Sequence, residues 1–201
     1  MECRELLMKL CDINAVTGRE DTAARVISGI LSEYCDEVSV DKFYNVIGLK
    51  RGHGENPRNV LVTAHYDQIG LIVTGIDENG FLRFTSMGGV DPKVLAAQEV
   101  TVHGKKDLFG VIGSKPPHLI PPEDADKPVK MEDMLIDIGY DAQKARELVS
   151  VGDVVSFRFP VLELKNNRMA GRSMDNRSSV AALVEMLKEL GRIRHRDNVY
   201  A

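Results

Sequence analysis

The sequence has no apolar run approaching the roughly 18 residues that a membrane span requires, and no Cys-x-x-Cys pair. It also lacks a large charge excess: 26 Lys and Arg stand against 30 Asp and Glu, a formal net charge of -4. The first absence argues against a transmembrane helix. The second argues against a zinc knuckle, and the odd cysteine count (Cys3, Cys11, Cys35) argues against a disulfide framework. Cys3 and Cys11 are eight positions apart on one predicted helix, about 12 Å along its axis, which is too far for a disulfide. The thiols are therefore read as reduced, buried and structural. The charge balance gives no reason to propose nucleic acid or a membrane surface as partner. Met1-Glu2-Cys3-Arg4-Glu5 is charged where a signal peptide needs an apolar core, so a cytoplasmic location is expected.

What is present is ordinary globular composition, 43% hydrophobic and 28% charged over 201 residues, enough for one or two domains. Leu6, Leu7, Leu10 and Cys11 recur at helical spacing over residues 2–12. Thr17-Gly18-Arg19-Glu20 fits a capping box, with a hydroxyl at the N-cap and a carboxylate three residues on. The helix it opens buries Ala23, Val26, Ile27, Ile30, Leu31 and Tyr34. Strands are expected at 38–40 and 45–49. A polar loop at 50–59 follows, with His53 exposed in it, and then a buried strand over 60–63.

After Gly70 the texture changes. Residues 71–76 and 81–85 flank Asp77-Glu78-Asn79-Gly80, a hairpin signature. Further short strands are expected at 100–103, 109–113 and 154–159, with one helix at 142–148. The Pro-rich stretch 115–130 reads as a long exposed loop. Within this part, His103 is assigned to a strand surface and His118 to the loop. Residues 71–165 thus form a β-rich insert between two α/β pieces, 1–70 and 166–201. Val180, Leu183, Val184, Leu187 and Leu190 then mark a last helix capped by Asn176 or Ser178. Arg192–Arg196 is a basic solvated turn, and Asn198–Ala201 begins another strand.

Two stretches carry chemistry. In Val60-Leu61-Val62-Thr63-Ala64-His65-Tyr66-Asp67, a β-branched run ends in His-x-Asp. This puts an imidazole and a carboxylate at the C-terminal edge of a strand, where ligands bind in open α/β sheets. One ring nitrogen can hold a divalent ion while the carboxylate fixes the ring. A capped loop histidine would show the same local pattern. Asp175 lies just before a helix N-terminus, which favours an ionised carboxylate and equally suits a capping role.

Together, Ala64-His65-Tyr66-Asp67-Gln68-Ile69-Gly70 and Gly171-Arg172-Ser173-Met174-Asp175-Asn176-Arg177 resemble the two N-terminal metal-site motifs of the glutamyl and tetrahedral aminopeptidase family. Many of its members are labelled endoglucanase or cellulase M. Met87–Leu95, Gly110–His118 and Asp137-Ile138-Gly139 are similar to the same family's insert domain. The resemblance implies an α/β, zinc-peptidase-like three-layer α/β/α catalytic domain, incomplete here, with an inserted small β-barrel or PDZ-like domain. An exposed sheet edge or apolar face is expected with it.

By position, the resemblance makes His65 a ligand of a dinuclear site of zinc or cobalt, Asp67 the carboxylate that orients His65, and Asp175 the bridge between two divalent ions. Gln68 departs from the acidic residue many relatives carry. The family's general base, the first of a Glu-Glu pair, has no counterpart in these 201 residues, and Glu185 and Glu189 are assigned to an exposed helix face. The implied function is removal of N-terminal residues from peptides by a homo-oligomer (dimers building dodecamers), with this chain an inactive N-terminal portion. A non-catalytic oligomerisation or peptide-binding module is the alternative. A true endoglucanase is less favoured, because no separate carboxyl pair is singled out.

Overall fold

The computed structural model describes residues 2–116 and 129–201; His118 and most of the expected Pro-rich loop fall outside them. The chain divides into two compact units, Met1–Gln68 with Pro160–Ala201, and Ile69–Phe159.

The first unit packs three helices with a four-stranded sheet. Helix α1 (Cys3–Asp12) buries Leu6, Leu10 and Cys11, and the Glu5 carboxylate accepts the Glu2 backbone N–H at its start. Helix α2 (Asp21–Leu31) buries Ala23, Ala24, Ile27, Ile30 and Leu31. Its start corrects the expected capping box. The N-cap is Glu20 with no side-chain cap bond, and Glu20 accepts instead from Gly18 N–H. Gly18 sits at φ +86°, a turn that carries Thr17 away from the helix. Helix α4 (Met174–Leu190) buries Val180, Leu183, Val184 and Leu187 against Leu6, Leu10, Ile27 and Leu31. It too lacks a side-chain cap: Ser178 Oγ donates back to the Met174 carbonyl, so neither Asn176 nor Ser178 plays the expected role.

The sheet runs β1 (Glu37–Val40), β2 (Val46–Lys50), β12 (Asn198–Tyr200), β3 (Asn59–Leu61). The last strand in sequence lies between β2, to which it is antiparallel, and β3, to which it is parallel. β3 therefore sits at an edge, and the expectation of a buried strand fails there: Val60 and Leu61 are exposed, Leu61 by 70%. Among the described residues, one side of β3 has no strand partner. Beside it, an apolar cleft of about 650 Å³ is lined by Ile27, Leu31, Leu61, Tyr66, Leu183 and Tyr200. A short hairpin, β10 (Leu162–Leu164) with β11 (Arg168–Ala170), completes the unit.

The second unit is a closed barrel: β4 (Gly70–Ile76), β5 (Leu82–Met87), β8 (Leu135–Asp137), β7 (Asp107–Gly113), β6 (Glu99–His103), β9 (Val154–Phe157), which returns to β4. Closure removes every free edge. Alternate residues point inward, among them Leu71 and Val73, Leu82 and Phe84, Val100 and Val102, all nearly or fully buried. The β4–β5 turn forms where expected, with Asp77 Oδ1 accepting the N–H groups of Asn79 and Phe81 at 2.9 Å. Gly80 there has φ +96°, and a Cβ would lie 2.3 Å from the Tyr140 carbonyl oxygen. Helix α3 (Ala142–Leu148) follows Asp141, whose carboxylate caps it through Lys144 N–H.

Candidate functional site

β3 ends at Leu61, and Val62 still donates its N–H to the Tyr200 carbonyl at 2.8 Å. His65 and Asp67 therefore lie beyond the C-terminal end of a strand that is parallel to its neighbour. Asp67 Oδ1 is 3.0 Å from His65 Nδ1, and its other oxygen accepts the Thr17 hydroxyl at 2.7 Å. With Nδ1 facing a carboxylate, the ring turns Nε2 outward. Nε2 stands 3.1 Å from Asp175 Oδ1, 110 positions away in sequence. Thr17, assigned to a helix cap from sequence, is thus part of this site. Its own register pattern hid it, since Thr-x-x-Glu is an equally good local capping signal.

Asp175 and Asn176 have non-helical φ/ψ inside the first turn of α4, and the bond between them is cis. The Asp175 side chain is 93% exposed, and among the described residues its second oxygen has no partner. Behind the pair lies Arg177, fully buried. It donates to the carbonyl oxygens of Tyr66, Leu10 and Ile13 and to Gln68 Oε1. Burial lowers its pKa to about 10, which leaves it a cation at neutral pH. Tyr66 donates its hydroxyl to the Tyr44 carbonyl, and burial, with Glu20, Asp41 and Asp67 nearby, raises its pKa to about 12.

The donor set suits a divalent transition ion. Imidazole nitrogen and carboxylate oxygen are both zinc ligands, and at bond lengths of about 2.0–2.2 Å two tetrahedral ligand atoms lie about 3.3 Å apart. The 3.1 Å between His65 Nε2 and Asp175 Oδ1 is close to that. Among the described residues no group of three or more His, Cys, Asp or Glu converges on one point. This agrees with the geometry, because Asp67 backs the ring and His65 with Asp175 form the converging pair.

The remaining candidates lie elsewhere. His53 is exposed, 6.0 Å ring to ring from His195. His103 was expected simply on a strand surface; it is mostly buried, with Asp107 Oδ1 at 2.8 Å from Nδ1 and Ser156 Oγ at 2.9 Å from Nε2. That is the order of a nucleophile, base and orienting acid, but Ser156 is only 1% exposed, so the trio ties β6, β7 and β9 together. Glu185 and Glu189 pair with Lys188 and Arg192 on α4 and its end. Of the cysteines, Cys11 is buried, Cys35 partly so and Cys3 exposed, which corrects the reading of all three as buried.

Among known proteins, the M42 glutamyl aminopeptidase family matches residues 45–201. Lysyl aminopeptidase of Pyrococcus furiosus is 32% identical over 201 residues, covering 98% of this chain and 57% of the relative. The TET aminopeptidase from the marine sediment archaeon Thaumarchaeota archaeon SCGC AB-539-E09 superposes with a TM-score of 0.91 at 33% identity, over 98% of this chain and 57% of that one. The Pyrococcus horikoshii TET1 peptidase, which assembles into a tetrahedron or a large octahedral shell, does so with a TM-score of 0.84 at 33% identity, over 99% and 59%. The chain spans about half the length of the curated relatives it matches. No described helix is long and apolar enough to cross a membrane. With its closed six-stranded barrel, its mixed α/β unit and its match over residues 45–201, the chain belongs to the M42 glutamyl aminopeptidase family.

Proposed function

We propose that this chain contributes the His65–Asp175 half of a dinuclear metal centre that removes N-terminal residues from peptides. The observation that carries the reading is the 3.1 Å approach of His65 Nε2 to Asp175 Oδ1, with Asp67 held against Nδ1. His65 and Asp175 would hold the metal, zinc or cobalt, with Asp175 offering its second oxygen to a second ion. When bound, such a pair of ions supplies Lewis acidity and a water acidic enough to attack a carbonyl near neutral pH. Asp67 fixes which ring nitrogen faces outward, and Thr17 fixes Asp67. The Tyr66 hydroxyl donates to the Tyr44 carbonyl and burial raises its pKa, so no acid–base role is assigned to it.

Under this reading the first unit is the catalytic body, and the barrel serves self-association in the cytoplasm. Glycoside hydrolysis has no support at the site: its carboxylates are Asp67, tied to His65 and Thr17, and Asp175. The test is calorimetric titration of the 201-residue chain with cobalt or zinc, alongside hydrolysis of aminoacyl p-nitroanilides. The expected result is weak binding, lost in His65→Ala and Asp175→Ala, without turnover, because two donors fall short of the three protein ligands of a catalytic zinc. Binding that persists in both variants would overturn the assignment. Turnover by this chain would overturn the expectation that more of the centre is needed.

A further inference from the structure

Among the described residues Arg177 is the largest fully buried side chain, and no carboxylate forms an ion pair with it. Burying a guanidinium is costly unless its donors and its charge are met. Here the donors are met by four neutral oxygens: the carbonyls of Leu10, Ile13 and Tyr66, and Gln68 Oε1 at 3.3 Å. The positions of those oxygens are informative. Leu10 and Ile13 close α1, while Tyr66 and Gln68 flank Asp67. Arg177 itself is two residues past Asp175.

Gln68 makes a second joint between the same segments. Its backbone bonds to Ala15 and Thr17, while Oε1 accepts the Ser173 hydroxyl at 2.6 Å, two residues before Asp175. A single amide oxygen thus receives donors from both sides of Asp175, and the guanidinium grips the loop on both sides of Asp67. Neither side chain reaches the outward face of the pair.

We infer that Arg177 and Gln68 form a positioning clamp that sets the distance between His65 and Asp175, and that the neutral amide at 68 leaves Arg177 without a hydrogen-bonded carboxylate, so that its positive charge weakens cation binding at the pair. The second half of this inference rests on the metal-site reading above; the first does not. A carboxylate at 68 would accept from Ser173 and Arg177 as the amide oxygen does, and would add one negative charge beside the site. Lysine at 177 would keep the charge but cannot present a planar fork to four acceptors.

The test uses the full chain and three variants, Gln68→Glu, Arg177→Lys and Arg177→Met, each first checked for native circular dichroism and melting. The metal-free readout is the ¹⁵N imidazole spectrum of His65. The metal readout is the cobalt dissociation constant. Arg177→Lys is expected to shift the His65 ring resonances and to weaken cobalt about 10-fold, the scale on which outer partners of metal ligands act. Gln68→Glu should tighten cobalt several-fold while leaving those resonances in place. Should Arg177→Met fail to fold, Arg177→Lys and Gln68→Glu still decide the matter. A folded Arg177→Lys chain with unchanged His65 resonances overturns the clamp. Unchanged or weaker cobalt binding in Gln68→Glu overturns the charge argument. If the parent chain binds no cobalt yet its His65 spectrum responds to Arg177→Lys, the clamp stands and the metal-site reading falls.

Discussion

Replacing Asp67 tests the arrangement most directly, because that carboxylate touches the imidazole without converging on the Nε2 side. It accepts from Thr17 Oγ1 at 2.7 Å and faces His65 Nδ1 at 3.0 Å. Asparagine preserves the shape: its oxygen can take the Nδ1–H, and its amide can donate to the Thr17 hydroxyl. What it removes is the charge. A hydrogen bond to a charged group contributes about 1.5–3 kcal/mol and a neutral one about 0.5–1.5. The loss is then about 1–1.5 kcal/mol, or about 10-fold in cobalt or zinc affinity. Alanine removes both bonds and frees the ring to rotate, so Asp67→Ala is expected near the upper end of the range for such partners, about 100-fold. Calorimetric titration in a non-chelating buffer measures both, with circular dichroism confirming the fold. A folded Asp67→Ala chain that binds metal within twofold of the parent would refute the role given to Asp67, and equal losses for Asn and Ala would refute the separation of charge from geometry.

Four further outcomes follow from burial or exposure. Tyr66 has a folded pKa of about 12 against the ordinary 10, so its neutral form is favoured by folding. The stability this gives is fully present below pH 10 and lost as pH rises from 10 to 12. Tyr66→Phe should flatten that part of the melting-temperature profile, and an unchanged alkaline slope would count against it. Burial raises the thiols of Cys11 and Cys35, while Cys3 is exposed. Since the thiolate is the reactive form, the native chain at pH 8 should give one fast equivalent with a thiol reagent and three in denaturant. Leu187 is completely buried among the α1, α2 and α4 side chains, so Leu187→Ala should cost about 2–5 kcal/mol in urea unfolding. Leu164, 48% exposed, should tolerate alanine within about 0.5 kcal/mol.

The elements legible in the sequence are those whose signal is local. α3 spans the predicted 142–148, and the β4–β5 hairpin forms on its Asp-x-Asn-Gly turn. The α4 stripe is buried as its period required. Strands without alternation leave no such signal: β10 and β11 are short and largely exposed, and β8 is three residues long. Caps are illegible for a different reason. Thr17 had two possible partners, a helix N-terminus four residues on and a carboxylate fifty residues on. Local sequence shows only the first, and the turn at Gly18 gives the hydroxyl to the second. The place of β12 between β2 and β3 is likewise set by pairing with segments about 140 to 150 residues away.

The same limit separates the two His–Asp pairs of this chain. His65 faces Asp67 across one residue, and His103 faces Asp107 across a hairpin turn, with Nδ1 to Oδ1 distances of 3.0 and 2.8 Å. Each carboxylate fixes a ring and points its Nε2 away. What distinguishes them is what Nε2 meets. For His103 it is Ser156 Oγ, a neutral hydroxyl only 1% exposed in the barrel wall. For His65 it is Asp175, almost fully exposed, with one oxygen unpartnered among the described residues. A tightly held imidazole is therefore no evidence of a binding site. The evidence is a second group able to ligate a cation, brought to about 3 Å from 110 residues away and left open to solvent. Maintaining that approach against the entropy of two exposed side chains requires rigid backbone behind both, which is the place Arg177 and Gln68 occupy.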